Sequence, residues 1–192
     1  DDNNNQDGIR PTEIRVQLMA DGKETGEEVI LNEVNSWTYT WDELPEKAAG
    51  KTIDYQVKEV GEVKGYTTSY SEDTFIITNS HAPEKTKVDV EKEWKDLGEG
   101  YRPESITVRL YADGEEIKTI QMTKENGWKY TFENLDKYKD GKEILYTVSE
   151  DQVEGYKTEV SGYKIINSQV LGSLTIKKVT NGTTTPDNTV FT

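Results

Sequence analysis

The sequence predicts an all-β protein built from tandem β-sandwich domains, and three observations carry that prediction. The chain repeats itself at an interval of about 90 residues, apolar residues recur with a period of two, and Asp-Gly and Asn-Gly pairs punctuate the runs. No segment shows helical periodicity.

The repeat sets the organisation. RPTEIRVQLMADG at 10–22 returns as RPESITVRLYADG at 102–114, and NSWTYTWDELPEK at 35–47 as NGWKYTFENLDKY at 126–138. DYQVKE at 54–59 returns as LYTVSE at 145–150, GYTTSYS at 65–71 as GYKTEVS at 155–161, and FIITNS at 75–80 as YKIINS at 163–168. A repeat of this size is a whole domain rather than a solenoid unit. Polar segments at 80–86 and 168–173 read as junctions. Three pieces result: residues 1–80, a repeat lacking its first strand; 86–168, a complete repeat; and 173–192, the opening of a third domain.

Each strand follows from alternation. Ile14, Val16 and Leu18 share a face, as do Ile106, Val108 and Leu110. Trp37, Tyr39 and Trp41 form a third such row, and Trp128, Tyr130 and Phe132 a fourth. Turns are expected at Asp21-Gly22, Asp113-Gly114, Asn126-Gly127 and Asp140-Gly141. About seven short strands per repeat predict a sandwich. In the tail, Leu174, Ile176 and Lys178 share a face of an expected opening strand, and Lys177 points outward.

Composition narrows the function. Against 37 acidic residues stand 23 basic ones, a formal net charge of −14. That balance repels nucleic acid and anionic membrane surfaces. Four Trp and 11 Tyr argue for a folded chain despite only 32% hydrophobic residues. There is no cysteine. A cytoplasmic origin would account for that, and so would another covalent device in place of disulfides. No apolar run reaches membrane-spanning length, and the chain, which opens mid-pattern, reads as a fragment.

Three polar residues interrupt the apolar faces. Lys92 lies on the face of Val88, Val90 and Trp94; Glu150 follows Tyr146 and Val148; Asn167 follows Tyr163 and Ile165. The first repeat keeps Glu59 after Tyr55 and Val57, and Asn79 after Phe75 and Ile77. Such residues can lean out to water at strand ends. Alternatively they form a chemical group. A buried Lys loses its proton readily and becomes a nucleophile, a buried Glu takes one up, and an Asn carboxamide offers an electrophilic carbon. Attack by Lys92 on the Asn167 side chain, assisted by Glu150, would expel ammonia and leave an amide cross-link. Held geometry makes even a weak electrophile reactive. The event occurs once per molecule, so the chain is not expected to be an enzyme.

The motifs K-E-W at 92–94, R-P-x-x-I-x-V-x-L at 102–110, N-G-W-x-Y-T-F at 126–132, Y-T-V-x-E at 146–150 and I-I-N at 165–167 resemble the B-type (Cna B-type) repeats of Gram-positive collagen adhesins and related pilin domains. The resemblance covers nearly the whole chain. It implies inverse immunoglobulin-like sandwiches with a Lys–Asn isopeptide bond and an acidic helper, which fall on Lys92, Asn167 and Glu150. Glu59 and Asn79 become equivalents whose Lys lies outside the sequence, and Lys178 becomes the nucleophile of the truncated third domain. A strand added to the edge beside Asn79 would supply a Lys there.

The expected role is a structural stalk on the bacterial cell wall, with neighbouring repeats as partners and host matrix engaged by a separate head domain. The alternative is an adhesive module that itself binds host matrix or glycan. No cofactor is expected. DDNNNQDG at 1–8 has the wrong glycine spacing for a calcium loop and reads as a solvated loop. His81, the single histidine, lies in the linker without the company a triad or zinc site requires.

Overall fold

A computed structural model of the chain describes residues 2–71, 75–180 and 183–184. The regular structure among them is strand, apart from two single 3₁₀ turns. The chain separates into two compact units, residues 1–87 with 133–144, and residues 88–132 with 145–192. This division differs from the expected pieces in two places, since 133–144 groups with the first unit and 173–192 with the second rather than apart.

In the first unit, β1 (Glu13–Ala20) lies between β2 (Lys23–Asn32) and, after the short pair β3 (Lys47–Ala48) and β4 (Lys51–Thr52), β5 (Tyr55–Glu59). The β1–β2 turn places Asp21 at φ 49° and Gly22 at φ 75°, the left-handed pair that a tight hairpin needs. Val16 and Leu18 are buried as expected. A bulge between them also buries Gln17. Its Nε2 donates to the carbonyls of Leu18 and Thr25 at 3.1 and 2.7 Å, which satisfies the buried amide.

The second layer of this unit holds β6 (Thr67–Tyr70) and β7 (Ile77–Ser80), paired antiparallel with Thr68 opposite Asn79. Among the described residues β7 has no other partner. The strand expected across Trp37, Tyr39 and Trp41 does not form, and Tyr39 is 52% exposed. Alternation supplies a face, but a strand also needs a neighbour for its amides. These side chains instead line a groove of about 690 Å³ together with Val16, Val57 and Asn79.

The complete repeat meets its expectation more closely. Strand β8 (Lys85–Lys95) begins in the linker. Then come β9 (Ser105–Ala112), β10 (Glu115–Thr123), β11 (Lys129–Asp136), the small hairpin β12 (Tyr138–Lys139) and β13 (Lys142–Glu143), β14 (Tyr146–Glu150), β15 (Tyr156–Ser161) and β16 (Lys164–Gln169). One sheet has the order β10-β9-β14 and the other β11-β8-β16-β15. Strands β8 and β16 run parallel, with Lys92 opposite Ile165 and Trp94 opposite Asn167. Ile106, Val108, Leu110 and Val148 from one sheet and Val88, Val90, Phe132 and Ile165 from the other are buried, the two inner faces of a sandwich. Trp128 sits at φ 56° just before β11 and so outside the strand, and Tyr130 is exposed while Phe132, two residues on, is buried.

The opening strand expected at 173–179 is also not formed. Residues 171–178 are in no strand, and Leu174 and Ile176 are 83% and 60% exposed. The reason is again the lack of a pairing neighbour: the only tail strands described are the short pair β17 (Val179–Thr180) and β18 (Thr183–Thr184). The side chain of Lys178 therefore gains no buried face here. Most of the remaining tail lies outside the described residues.

Candidate functional site: a buried lysine, glutamate and asparagine

Two neighbouring strands of one sheet and a third from the facing sheet bring the predicted residues of the complete repeat inward. Lys92 comes from β8, Glu150 from the end of β14 and Asn167 from β16. The side chains of Lys92 and Glu150 are 0% exposed, and so is Asn167 as a whole. None of the three leans out to water. Lys92 is anchored by its amide, which donates to the Trp128 carbonyl at 2.9 Å.

Lys92 Nζ lies 2.7 Å from Glu150 Oε1. The approach is not aligned as a hydrogen bond, and both atoms otherwise lack one. We read it as a close charge contact without a directed bond, since the distance is short but the angles are poor. Glu150 Oε2 accepts from Thr158 Oγ1 at 2.9 Å. Nζ also sits 4.6 Å above the ring centre of Trp94. That ring is held edge-on to Trp128 and Tyr156 at 5.1 and 5.0 Å. Burial pulls the Lys92 pKa below its ordinary value, and the Glu150 contact only partly opposes this. Both polar atoms of the Asn167 carboxamide are buried without a hydrogen-bond partner.

The first repeat carries the matching acid and amide in a different state. Glu59 is buried. Asn79 Nδ2 donates to Glu59 Oε1 at 2.8 Å. Thr68 Oγ1 lies 2.9 Å from Glu59 Oε2 and 2.7 Å from Asn79 Oδ1. Acid, amide and hydroxyl thus lie within hydrogen-bond distance of one another, and the single Thr68 hydroxyl hydrogen serves one of its two neighbouring oxygens at a time.

A second repeated constellation was missed in the sequence. Asp2 receives Arg10 Nε at 2.8 Å and the Tyr66 hydroxyl at 2.7 Å. Asp96 receives Arg102 Nε at 2.8 Å and the Tyr156 hydroxyl at 3.1 Å. Bonding to the arginine holds both carboxyls below their usual range, and burial pushes Tyr66 up to about 12. The signal was present as an Arg-Pro and a Gly-Tyr in each repeat, preceded by an Asp. It pins the loop before the first long hairpin of each repeat.

The acidic opening loop is not a solvated loop. Asp2 and Asp7 are both buried. Asp7 Oδ2 accepts from the Glu84 amide at 2.7 Å and faces His81 Nε2 at 2.8 Å, while His81 Nδ1 faces the Gly65 carbonyl at 2.8 Å. The described carboxylates of this loop are thus engaged by protein donors. Among the described residues no group of three or more His, Asp or Glu side chains is placed to hold a metal.

Tandem β-sandwich repeats, one of them with a buried Lys–Glu–Asn group, are the class of module that the fold and site define. The comparisons agree with that class. Residues 1–80 and 88–168 match the Cna protein B-type domain, and the chain belongs to that family. It is 50% identical over 185 residues to a collagen adhesin of Staphylococcus aureus, covering 93% of this chain and 16% of the relative. The crystal structure of two B repeat units of the collagen-binding protein of Staphylococcus aureus superposes with a TM-score of 0.81 at 50% identity. That match covers 88% of this chain and 47% of the solved one. The chain therefore spans a minor part of the relatives it matches.

Proposed function

We propose that this segment is a stalk element of a cell-surface adhesin, stiffened by an internal amide bond between Lys92 and Asn167. The observation that carries the bond is the buried group itself: a lysine whose pKa burial lowers, a glutamate in contact with it, and an asparagine whose carboxamide has no hydrogen-bond partner. In the reaction, neutral Nζ attacks Cγ of Asn167. The Nζ–Cγ bond forms and the Cγ–Nδ2 bond breaks. One proton passes from Nζ through Glu150 to the departing nitrogen, which leaves as ammonia. Glu59 and Asn79 are the acceptor half of a second such device, which a Lys-bearing strand seated in the groove beside Asn79 would complete. Lys178 is the corresponding donor of a following domain.

The stalk role rests on the tandem repeats and on kinship to a collagen adhesin. The chain then lies outside the cell, on a bacterial wall, and holds a separate matrix-binding head away from it. Intact-mass spectrometry tests the chemistry. The chain should be lighter by one ammonia, and Lys92→Ala should restore the full mass. Full mass in the unaltered chain, or the same deficit in Lys92→Ala, would overturn the cross-link.

A further inference from the structure

We infer that Thr158 is a positioning residue for the Lys92–Asn167 reaction, holding the Glu150 carboxyl by one oxygen so that the other is presented to the lysine. The inference rests on the cross-link proposed above and adds a residue to it.

The geometry divides the carboxyl between two neighbours. Oε2 is bonded to Thr158 Oγ1 at 2.9 Å, and Oε1 lies 2.7 Å from Lys92 Nζ. Thr158 is fixed in turn, because it sits on β15 directly opposite Asn167 of β16. The hydroxyl thus stands beside both the helper and the electrophile while its backbone belongs to the same ladder as the asparagine. A glutamate has three side-chain torsions, and a buried one without such a tether would lose this placement among rotamers.

A hydroxyl suits a carboxyl that must change its protonation state. It donates to a carboxylate and accepts from a carboxylic acid, so the tether persists as Glu150 takes the proton from Nζ and hands it on. A valine would fill the same space with neither capacity.

The first repeat supplies independent support. Thr68 occupies the equivalent place, opposite Asn79 across β6 and β7. Its hydroxyl lies 2.9 Å from Glu59 Oε2, the distance that Thr158 keeps from Glu150 Oε2. There the hydroxyl also reaches Asn79 Oδ1 at 2.7 Å. The pairing of Thr with Glu therefore does not depend on a lysine being present. It is built into the acceptor half of each repeat.

The test follows ammonia loss by mass in whole chain synthesised in vitro and quenched at timed intervals. Thr158→Val should slow formation by about tenfold or more, leaving a folded linear precursor that converts with time. Thr158→Ser should restore the wild-type rate, since it returns the hydroxyl and not the methyl. The conversion rate of Thr158→Val should also follow pH differently, because the proton carrier is no longer held. Thr158→Ala, which adds no bulk, serves should the valine fail to fold. A Thr158→Val chain that matches wild type, or a serine variant as slow as the valine, overturns the role of the hydroxyl. Wild-type chain of full mass at all times overturns the cross-link itself, a separate outcome.

Discussion

The two repeats hold the same acid, hydroxyl and carboxamide, and differ in one neighbour. In the first, Asn79 gives both its polar atoms to Glu59 and Thr68. In the second, Lys92 stands against Glu150 Oε1, the oxygen whose counterpart in Glu59 receives the Asn79 amide. Asn167 is left with neither of its polar atoms bonded. An unbonded buried polar group costs about 1–3 kcal/mol, so the lysine raises the ground state of the group it enters. The comparison teaches that the amide is hydrogen-bonded where no lysine stands beside the acid and unbonded where Lys92 does. The proposed amide bond would relieve the misfit by taking up the Lys92 nitrogen and releasing the unbonded Asn167 nitrogen.

The largest expected effect separates the two repeats by covalency. A cross-link from residue 92 to residue 167 should be worth on the order of 4 kcal/mol through loop closure, by analogy with a disulfide. Lys92→Ala should therefore lower the melting temperature of the complete repeat strongly while leaving the first repeat's transition in place. Differential scanning calorimetry checks this, and a single unchanged transition would break the comparison.

A smaller effect is expected at the Glu59–Asn79 pair of the first repeat. Asn79→Ala should cost about 1–3 kcal/mol by leaving Glu59 and Thr68 without their amide partner, with no change in the mass deficit. Urea unfolding with parallel intact-mass measurement reads both quantities. A loss of the deficit in Asn79→Ala would show that the two groups are not independent.

The smallest effect is a pH dependence confined to the first unit. His81 gains the Asp7 hydrogen bond on folding, and its pKa is raised above the ordinary 6.5. Its contribution is therefore full below the unfolded value and lost as pH rises through the folded one. Burial alone would raise Asp7, but His81 and the Glu84 amide bring it below its ordinary value. That contribution is present above the unfolded carboxyl value and lost as pH falls through the folded one. The contact should thus support the unit most between the two, and His81→Gln should flatten the alkaline side. Melting curves at about pH 5.5 and about pH 8.5 decide it.

Much of this was legible in the sequence, for a definite reason. Lys92, Glu150 and Asn167 were found because each breaks a run of alternating apolar residues, and a polar side chain on a buried face is conspicuous. Thr158 and Thr68 were not found, since threonine in a strand is ordinary and its bond to a glutamate on another strand leaves no local mark. The row from Trp37 to Trp41 misled, because alternation reports a face and says nothing of whether a neighbouring strand supplies hydrogen bonds. Gln17 was hidden by a bulge, which shifts the side-chain phase by one. The Asp–Arg–Tyr clusters were present as repeated fragments far apart in sequence, and only the fold brings them together.

The parallel pairing of β8 with β16 has a mechanical consequence. The first and last strands of the repeat lie side by side over Lys164–Glu91 through Ser168–Lys95. A chain stretched at both ends would drag these strands past each other along their length. The load then falls in shear on all the ladder bonds at once, where an antiparallel hairpin would unzip one bond at a time. The direction of the strands thus sets this ladder in shear, and a bond from Lys92 to Asn167 would sit across the seam that bears the load.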